Sequence, residues 1–218
     1  MPSACIVSRP LRRLLGVCAR IDDSQAVALT FDDGPHREGT PLVLDALRRA
    51  DAKATFFLVG EQVERHPELV QAILADGHEV AVHCHRHRNL MRLPPRAVRE
   101  DLERAAAVLS AASGLDVRLY RPPYGILTGS AAAHARREGW QTVLWSRDGH
   151  DWARRATARS IATGAAAGLR GGEVLLLHDS DYYSAPGSWR RTVAALSLIL
   201  DLVLEQGLGI TGLERAVP

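Results

Sequence analysis

Cysteine is scarce in this chain: Cys5, Cys18 and Cys84 are the only three, an odd number without Cys-x-x-Cys spacing. That argues against both a disulfide framework and a cysteine zinc cluster. An excess of charge of one sign is also missing. Lys plus Arg total 27 against 25 for Asp plus Glu, a net charge of +2, so no nucleic-acid partner is expected. No uncharged apolar run reaches the roughly 18 residues that suggest a membrane span; the stretch 193–204 is shorter and contains Asp201. Nor does an apolar run of signal-peptide length follow Arg9, Arg12, Arg13 and Arg20 before Asp22 and Asp23, so the default expectation is a cytoplasmic protein.

What is present has the size and balance of one globular domain: 218 residues, 46% hydrophobic and 24% charged. Residues 1–23 are set apart as a basic N-terminal segment, and the domain is placed at 24–215. Leu11, Leu14, Leu15 and Val17, interleaved with the arginines, could lie on a membrane surface; a frayed terminus is the favoured reading.

Runs rich in Val, Leu and Ile alternate with helix-period segments, the pattern of repeated β/α units. Strands are predicted at 26–31, 53–59, 79–83, 117–120, 141–145, 173–177 and 208–210, which implies a barrel or a wide parallel sheet. Helices fall between them. Val98, Leu102, Ala105 and Leu109 share a face over 96–112, as do Val193, Leu196, Leu200 and Val203 over 189–205. Gly114 and Gly207 follow those helices where a left-handed cap is expected. The alanine-rich 161–169 segment reads as a surface helix with one buried side.

Reactive residue types gather just after the predicted strands. Asp32 and Asp33 follow the first, His83, Cys84, His85 and His87 the third, Arg121 the fourth, Asp148 and Asp151 the fifth, and His178 the sixth. In parallel β/α architectures the carboxyl ends of the strands converge on one face, so these groups should meet. Asp32 and Asp33 could divide labour, one ligating a cation and the other accepting a proton, or simply form an acidic turn. His83 and His87 can face one cation, and neutral imidazoles suit Zn²⁺. With one Asp they leave a coordination position open, the ligand count of a catalytic zinc. His85 is the bystander. Taken singly, Arg121 could be a surface ion pair, Asp151-Trp152 a helix entry and His178 a core histidine.

Five motifs, in order, resemble the polysaccharide deacetylases that share the NodB homology domain, carbohydrate esterase family 4. They read Thr30-Phe31-Asp32-Asp33-Gly34-Pro35, His83-x-x-x-His87, Arg121-Pro122-Pro123-Tyr124-Gly125, Asp148-x-x-Asp151-Trp152 and Leu175-Leu176-Leu177-His178-Asp179. The resemblance implies a distorted (β/α)₇ barrel and a metal, Zn²⁺ or another divalent ion such as Co²⁺, held by Asp33, His83 and His87. By the same carry-over Asp32 is the catalytic base, Arg121 holds Asp32, His178 is the general acid and Asp151 orients His178. The Tyr124 N–H would bind the oxyanion, and Leu176 and Trp152 would line an acetyl pocket.

The implied substrate is an acetylated carbohydrate: peptidoglycan, chitin or its oligomers, an exopolysaccharide, or O-acetylated xylan. A lipid-linked or small glycan intermediate fits the default compartment. Amidohydrolysis of a small non-sugar amide and a silent sugar-binding module are the alternatives. The second motif departs from the family pattern, with Val82 and Cys84 where Asn and Ser or Thr are usual. Cys84 lacks a strong hydroxyl donor to fix the loop between the histidines. Its thiolate could reach a metal, but alternation along a strand turns it to the opposite face from His83. The 181–189 segment, with Tyr182, Tyr183 and Trp189, offers faces for a sugar ring or a turn anchored by aromatics.

Overall fold

The structure, a computed structural model, describes residues 16–213. Nine strands form one sheet: β1 (Val17–Cys18), β2 (Ala26–Asp32), β3 (Thr55–Val59), β4 (Glu79–Cys84), β5 (Leu119–Tyr120), β6 (Gln141–Val143), β7 (Arg147–Asp148), β8 (Val174–His178) and β9 (Gly209–Thr211). Between them run α1 (Gly39–Arg49), α2 (Gly60–Arg65), α3 (Pro67–Ala75), α4 (Pro95–Ser113), α5 (Gly129–Arg137), α6 (Ala158–Ala166) and α7 (Ser188–Glu205). The strand order is β1-β6-β5-β4-β3-β2-β8-β7, with β9 against the start of β2, and every named pairing is parallel. The sheet curls into the expected distorted (β/α)₇-type barrel.

Strand alternation makes two cores. On β2, Val27, Leu29 and Phe31 pack under the helices, while Ala28 belongs to an inner cluster with Phe57, Ala81, Trp145, Val174 and Leu176. Residues of Ala28's parity, Thr30 and Asp32, therefore point inward, as His83 does on β4 and His178 on β8. The helices present the predicted stripes: Val98, Leu102, Ala105 and Leu109 are buried on α4, which ends at Gly114 with φ 74°. On α7, Leu196, Leu200 and Val203 are buried and Val193 packs against the core more loosely. The cap there is Gln206, and the left-handed residue is Gly207, one place later. The alanine-rich helix, Ala158–Ala166, begins earlier than predicted because Thr157 caps it, closing a capping box with Ser160 in its first turn.

Two departures concern how the barrel closes. The strand expected at 141–145 stops at Val143, because the chain changes partners. Leu144 N–H donates to the Cys18 carbonyl at 2.7 Å and Ser146 N–H to that of Val174 at 3.0 Å, after which β7 pairs with β8. An apolar run carries no sign of such an exchange. The chain also joins the barrel before the expected boundary at residue 24. Val17 and Cys18 pair with β6, Ile21 N–H donates to the Gly172 carbonyl at 2.9 Å, and Arg20 meets Glu173 at 2.9 Å. A two-residue strand is too short to leave a periodicity. The membrane-surface reading of the arginines and leucines before residue 16 lies outside the described residues, as do Cys5 and residues 214–215. Among the described residues no helix is long and apolar enough to cross a membrane.

Candidate active site

The reactive groups do meet, at the carboxyl ends of the strands. Asp32 and His178 are register partners on β2 and β8. Neighbouring strand residues should face opposite sides, yet Asp33 turns back toward Asp32 because its backbone leaves the strand at φ 77°. That left-handed conformation is strained for a residue with a Cβ, and such strain concentrates at functional sites. As a result His83 Nε2 lies 3.9 Å from Asp32 Oδ2 and 3.5 Å from Asp33 Oδ1.

Arg121, fully buried, holds Asp32. Its Nη1 donates to Asp32 Oδ1 at 2.6 Å and to Thr30 Oγ1 at 2.8 Å, while Nε and Nη2 reach the carbonyls of Val143 and Leu144. The guanidinium also lies 4.0 Å over the Phe57 ring. Burial raises the Asp32 pKa above the ordinary carboxylate value, and the Arg121 charge opposes that rise.

Asp33, His83 and His87 place one ligand atom each within 4.8 Å of one another. Three observations fit a cation there. His83 Nδ1 is 2.7 Å from the Arg121 carbonyl, which can only accept, so the proton sits on Nδ1 and the Nε2 lone pair faces Asp33. Asp33 Oδ1 is buried without a hydrogen-bond partner, 3.3 Å from His87 Nε2. Burial pushes Asp33 up to about 7, a cost that a nearby cation would remove, and burial pushes His83 down to about 3, which keeps it a neutral ligand.

At the end of β8, His178 Nδ1–H donates to Asp151 Oδ1 at 2.7 Å. Asp151 Oδ2 accepts the His178 backbone N–H and the Thr192 hydroxyl, each at 2.7 Å. Burial alone would lower the His178 pKa. The charge and hydrogen bond of Asp151, with Asp33 and Asp32 beyond, raise it to about 10. Nε2 is left on the side of Asp33, 4.0 Å from its Oδ2.

The remaining predicted residues differ in their surroundings. Tyr124 has φ 58°, and the backbone bonds of its turn are donated by Gly125 and Ile126, which leaves its own N–H outside both. Leu176 is buried in the inner cluster, whereas Trp152 stands 43% exposed, edge-on to His150. Cys84 is buried on the helix side and outside the Asp33, His83 and His87 group, so the thiolate-ligand alternative fails. Burial pushes its thiol well up. His85 is likewise not among the cation donors.

Sequence reasoning missed Asp101. From α4 its buried carboxylate accepts the backbone N–H groups of His85 at 2.8 Å and Arg86 at 3.3 Å, and a bond from Arg88 Nη2 at 2.7 Å. It thereby fixes the loop that Cys84 cannot. The eighteen-residue gap from His83 hid it; the signal was an acidic residue on the otherwise apolar face of α4. Asp179, within the fifth motif but without an assigned role, is fully buried and accepts from the Thr40 hydroxyl, tying the end of β8 to α1. Its neighbour Gly34 has no room for a side chain, since a Cβ there would lie 2.4 Å from the Asp179 carboxylate.

A buried carboxylate and an Asp-paired imidazole on adjacent strands, with a candidate cation site beside them, are groups that a hydrolase of the parallel β/α-barrel class would use. Comparison with known proteins narrows the class. The family described as polysaccharide deacetylase matches residues 19–143. The chitooligosaccharide deacetylase of Bradyrhizobium sp. (strain ANU 289) is 38% identical over 205 residues, covering 89% of this chain and 92% of that protein. A peptidoglycan-N-acetylglucosamine deacetylase of Bacillus cereus is 35% identical, covering 85% of each. The solved structure of the Bc1960 peptidoglycan N-acetylglucosamine deacetylase superposes with a TM-score of 0.89 at 28% identity over 96% of both chains. A family 4 carbohydrate esterase from Streptomyces lividans, solved with acetate, gives 0.77 at 30% identity over 86% of this chain and 92% of that one. This chain belongs to the polysaccharide deacetylase family, which is metal-dependent.

Proposed function

We propose that the chain hydrolyses the acetamide of N-acetylated sugars in glycans of the chitin-oligomer or peptidoglycan type, with Zn²⁺ held by Asp33, His83 and His87. The substrates named for its relatives support the first part. Two neutral imidazoles and one carboxylate support the second, because that donor set suits zinc and leaves a fourth position open; Co²⁺ fits it too. When bound, the cation supplies Lewis acidity, lowering the pKa of water and polarising the acetyl carbonyl.

The chain's own groups do the rest. Asp32 accepts a proton from the attacking water, and Oδ2 is the accepting atom because Arg121 occupies Oδ1. The Tyr124 N–H meets the negative charge that develops on the acetyl oxygen. An amine is too basic to leave unaided, so His178 Nε2 protonates the sugar nitrogen while Asp151 fixes the ring through Nδ1. Leu176 floors the acetyl pocket and Trp152 walls it at the rim. Acetate and an amino sugar are released.

The observation that carries this reading is the placement of Asp32 and His178 as register partners beside the three cation donors. The experiment is acetate release from N-acetylglucosamine oligomers by purified protein, after chelation and after adding back Zn²⁺ or Co²⁺. Release that stops on chelation and returns with the ion is expected. Undiminished release by the metal-free protein, or none from the metal-loaded one, overturns it.

A further inference from the structure

His87 makes no hydrogen bond to another residue of the kind that usually orients a metal-ligating imidazole. His83 has that bond, through Nδ1 to the Arg121 carbonyl, but the buried His87 Nδ1 has at most its own main chain to meet while Nε2 faces Asp33. Two aromatic rings hold His87 instead. Tyr183 lies nearly parallel to it, with centroids 4.4 Å apart and 16° between the planes, and Tyr124 meets it edge-on at 4.5 Å and 70°. Tyr183 is itself pinned: its hydroxyl donates to Glu61 Oε1 at 2.7 Å and accepts from Gln62 Nε2 at 3.1 Å. Both partners belong to α2. A ring from the loop after β8 is thus tied to a helix after β3, and the His87 imidazole is left one plane to occupy.

We propose that Tyr183 is a positioning residue for the cation site, fixing the plane of His87 by stacking in place of the missing hydrogen bond, rather than a platform for sugar. The proposal rests on Asp33, His83 and His87 being the cation donors. Losing an orienting partner of a ligand typically costs 10- to 100-fold in metal affinity, which sets the scale of the effect.

The test titrates metal-free parent, Tyr183→Leu and Tyr183→Phe with Co²⁺, reading the dissociation constant and the visible absorption that reports ligand geometry, alongside the Tm of each metal-free protein. The leucine variant should bind about tenfold more weakly and with an altered spectrum. The phenylalanine variant keeps the ring and should stay within about threefold of the parent. Unchanged affinity and spectrum in Tyr183→Leu would overturn the proposal, including the case where only KM for chitin oligomers rises, the mark of a sugar platform. Equal losses in both variants would overturn it as well, since stacking would then not be what matters. A parent that takes up no Co²⁺ sinks the cation-site reading along with it, whereas a parent that binds and a leucine variant that binds equally well sinks this proposal alone.

Discussion

The Nδ1–H of His83 donates to the main-chain carbonyl of Arg121 at 2.7 Å. The backbone of Arg121 thus sets the tautomer of a candidate cation ligand while its guanidinium, at 2.6 Å, holds the neighbouring Asp32. The proposed base and the proposed cation ligand are both oriented by one fully buried residue, so a disturbance of Arg121 reaches both. Separating their roles requires changes that leave Arg121 in place.

Asp32→Asn preserves size and an oxygen for the Arg121 bond but removes the proton acceptor. Turnover should fall by roughly a thousandfold, within the usual range for losing a general base, while metal affinity stays near that of the parent. His83→Ala, by contrast, should lose both. Isothermal metal titration beside acetate-release kinetics separates the two, and an active Asp32→Asn protein would remove Asp32 from the mechanism.

Asp151→Asn bears on the acid. An acid works only while protonated, so activity declines as pH rises through the His178 pKa. Removing the Asp151 charge takes away the main influence that raises that pKa, and the alkaline limb of the kcat profile should move to lower pH. A limb that does not move assigns the leaving-group proton to another residue.

Asp101→Ala leaves two backbone N–H groups of the 85–86 loop without their acceptor. A stability loss of about 2 kcal/mol is expected from urea unfolding of the metal-free protein. Metal affinity should fall with it, since the same loop carries His87 toward Asp33.

His78 gives a pH dependence remote from the site. It is 4% exposed, its Nδ1 accepts the Ala54 N–H at 3.3 Å, and burial lowers its pKa from 6.5 to about 4. Between those values the unfolded chain binds the extra proton, so the contribution to stability is full above pH 6.5 and is lost as pH falls toward 4. The stability difference between the parent and His78→Gln should therefore shrink by about 3 kcal/mol from pH 7 to pH 4. A pH-independent difference would mean that His78 is protonated equally in both states.

Much of this was legible in the sequence because barrel strands and helices announce themselves by period. The stripe of α4 is visible as Val98, Leu102, Ala105 and Leu109, and the site residues stand out by falling after apolar runs. Less legible were contacts that depend on what comes alongside. Val17 and Cys18 become a strand only against β6, and the run at Val143 to Trp145 hides an exchange of partners. Asp101 serves a loop more than a dozen residues away. Tyr183 was visible as an aromatic near the site, but only the fold gives its ring a histidine to lie on.

The parallel register of β2 and β8 sets Asp32 opposite His178. A slip of one residue between those strands would turn the acid out toward the helices, because side chains alternate from face to face. Under the proposed mechanism, reactivity is thus a report on strand alignment: a molecule folded one step out of phase would keep Asp33 and His83 at the ends of β2 and β4, with His87 in the loop beyond, yet could not release an amine. Turnover per bound metal ion would therefore measure how faithfully the two halves of the barrel, built from distant parts of the chain, have been zipped together.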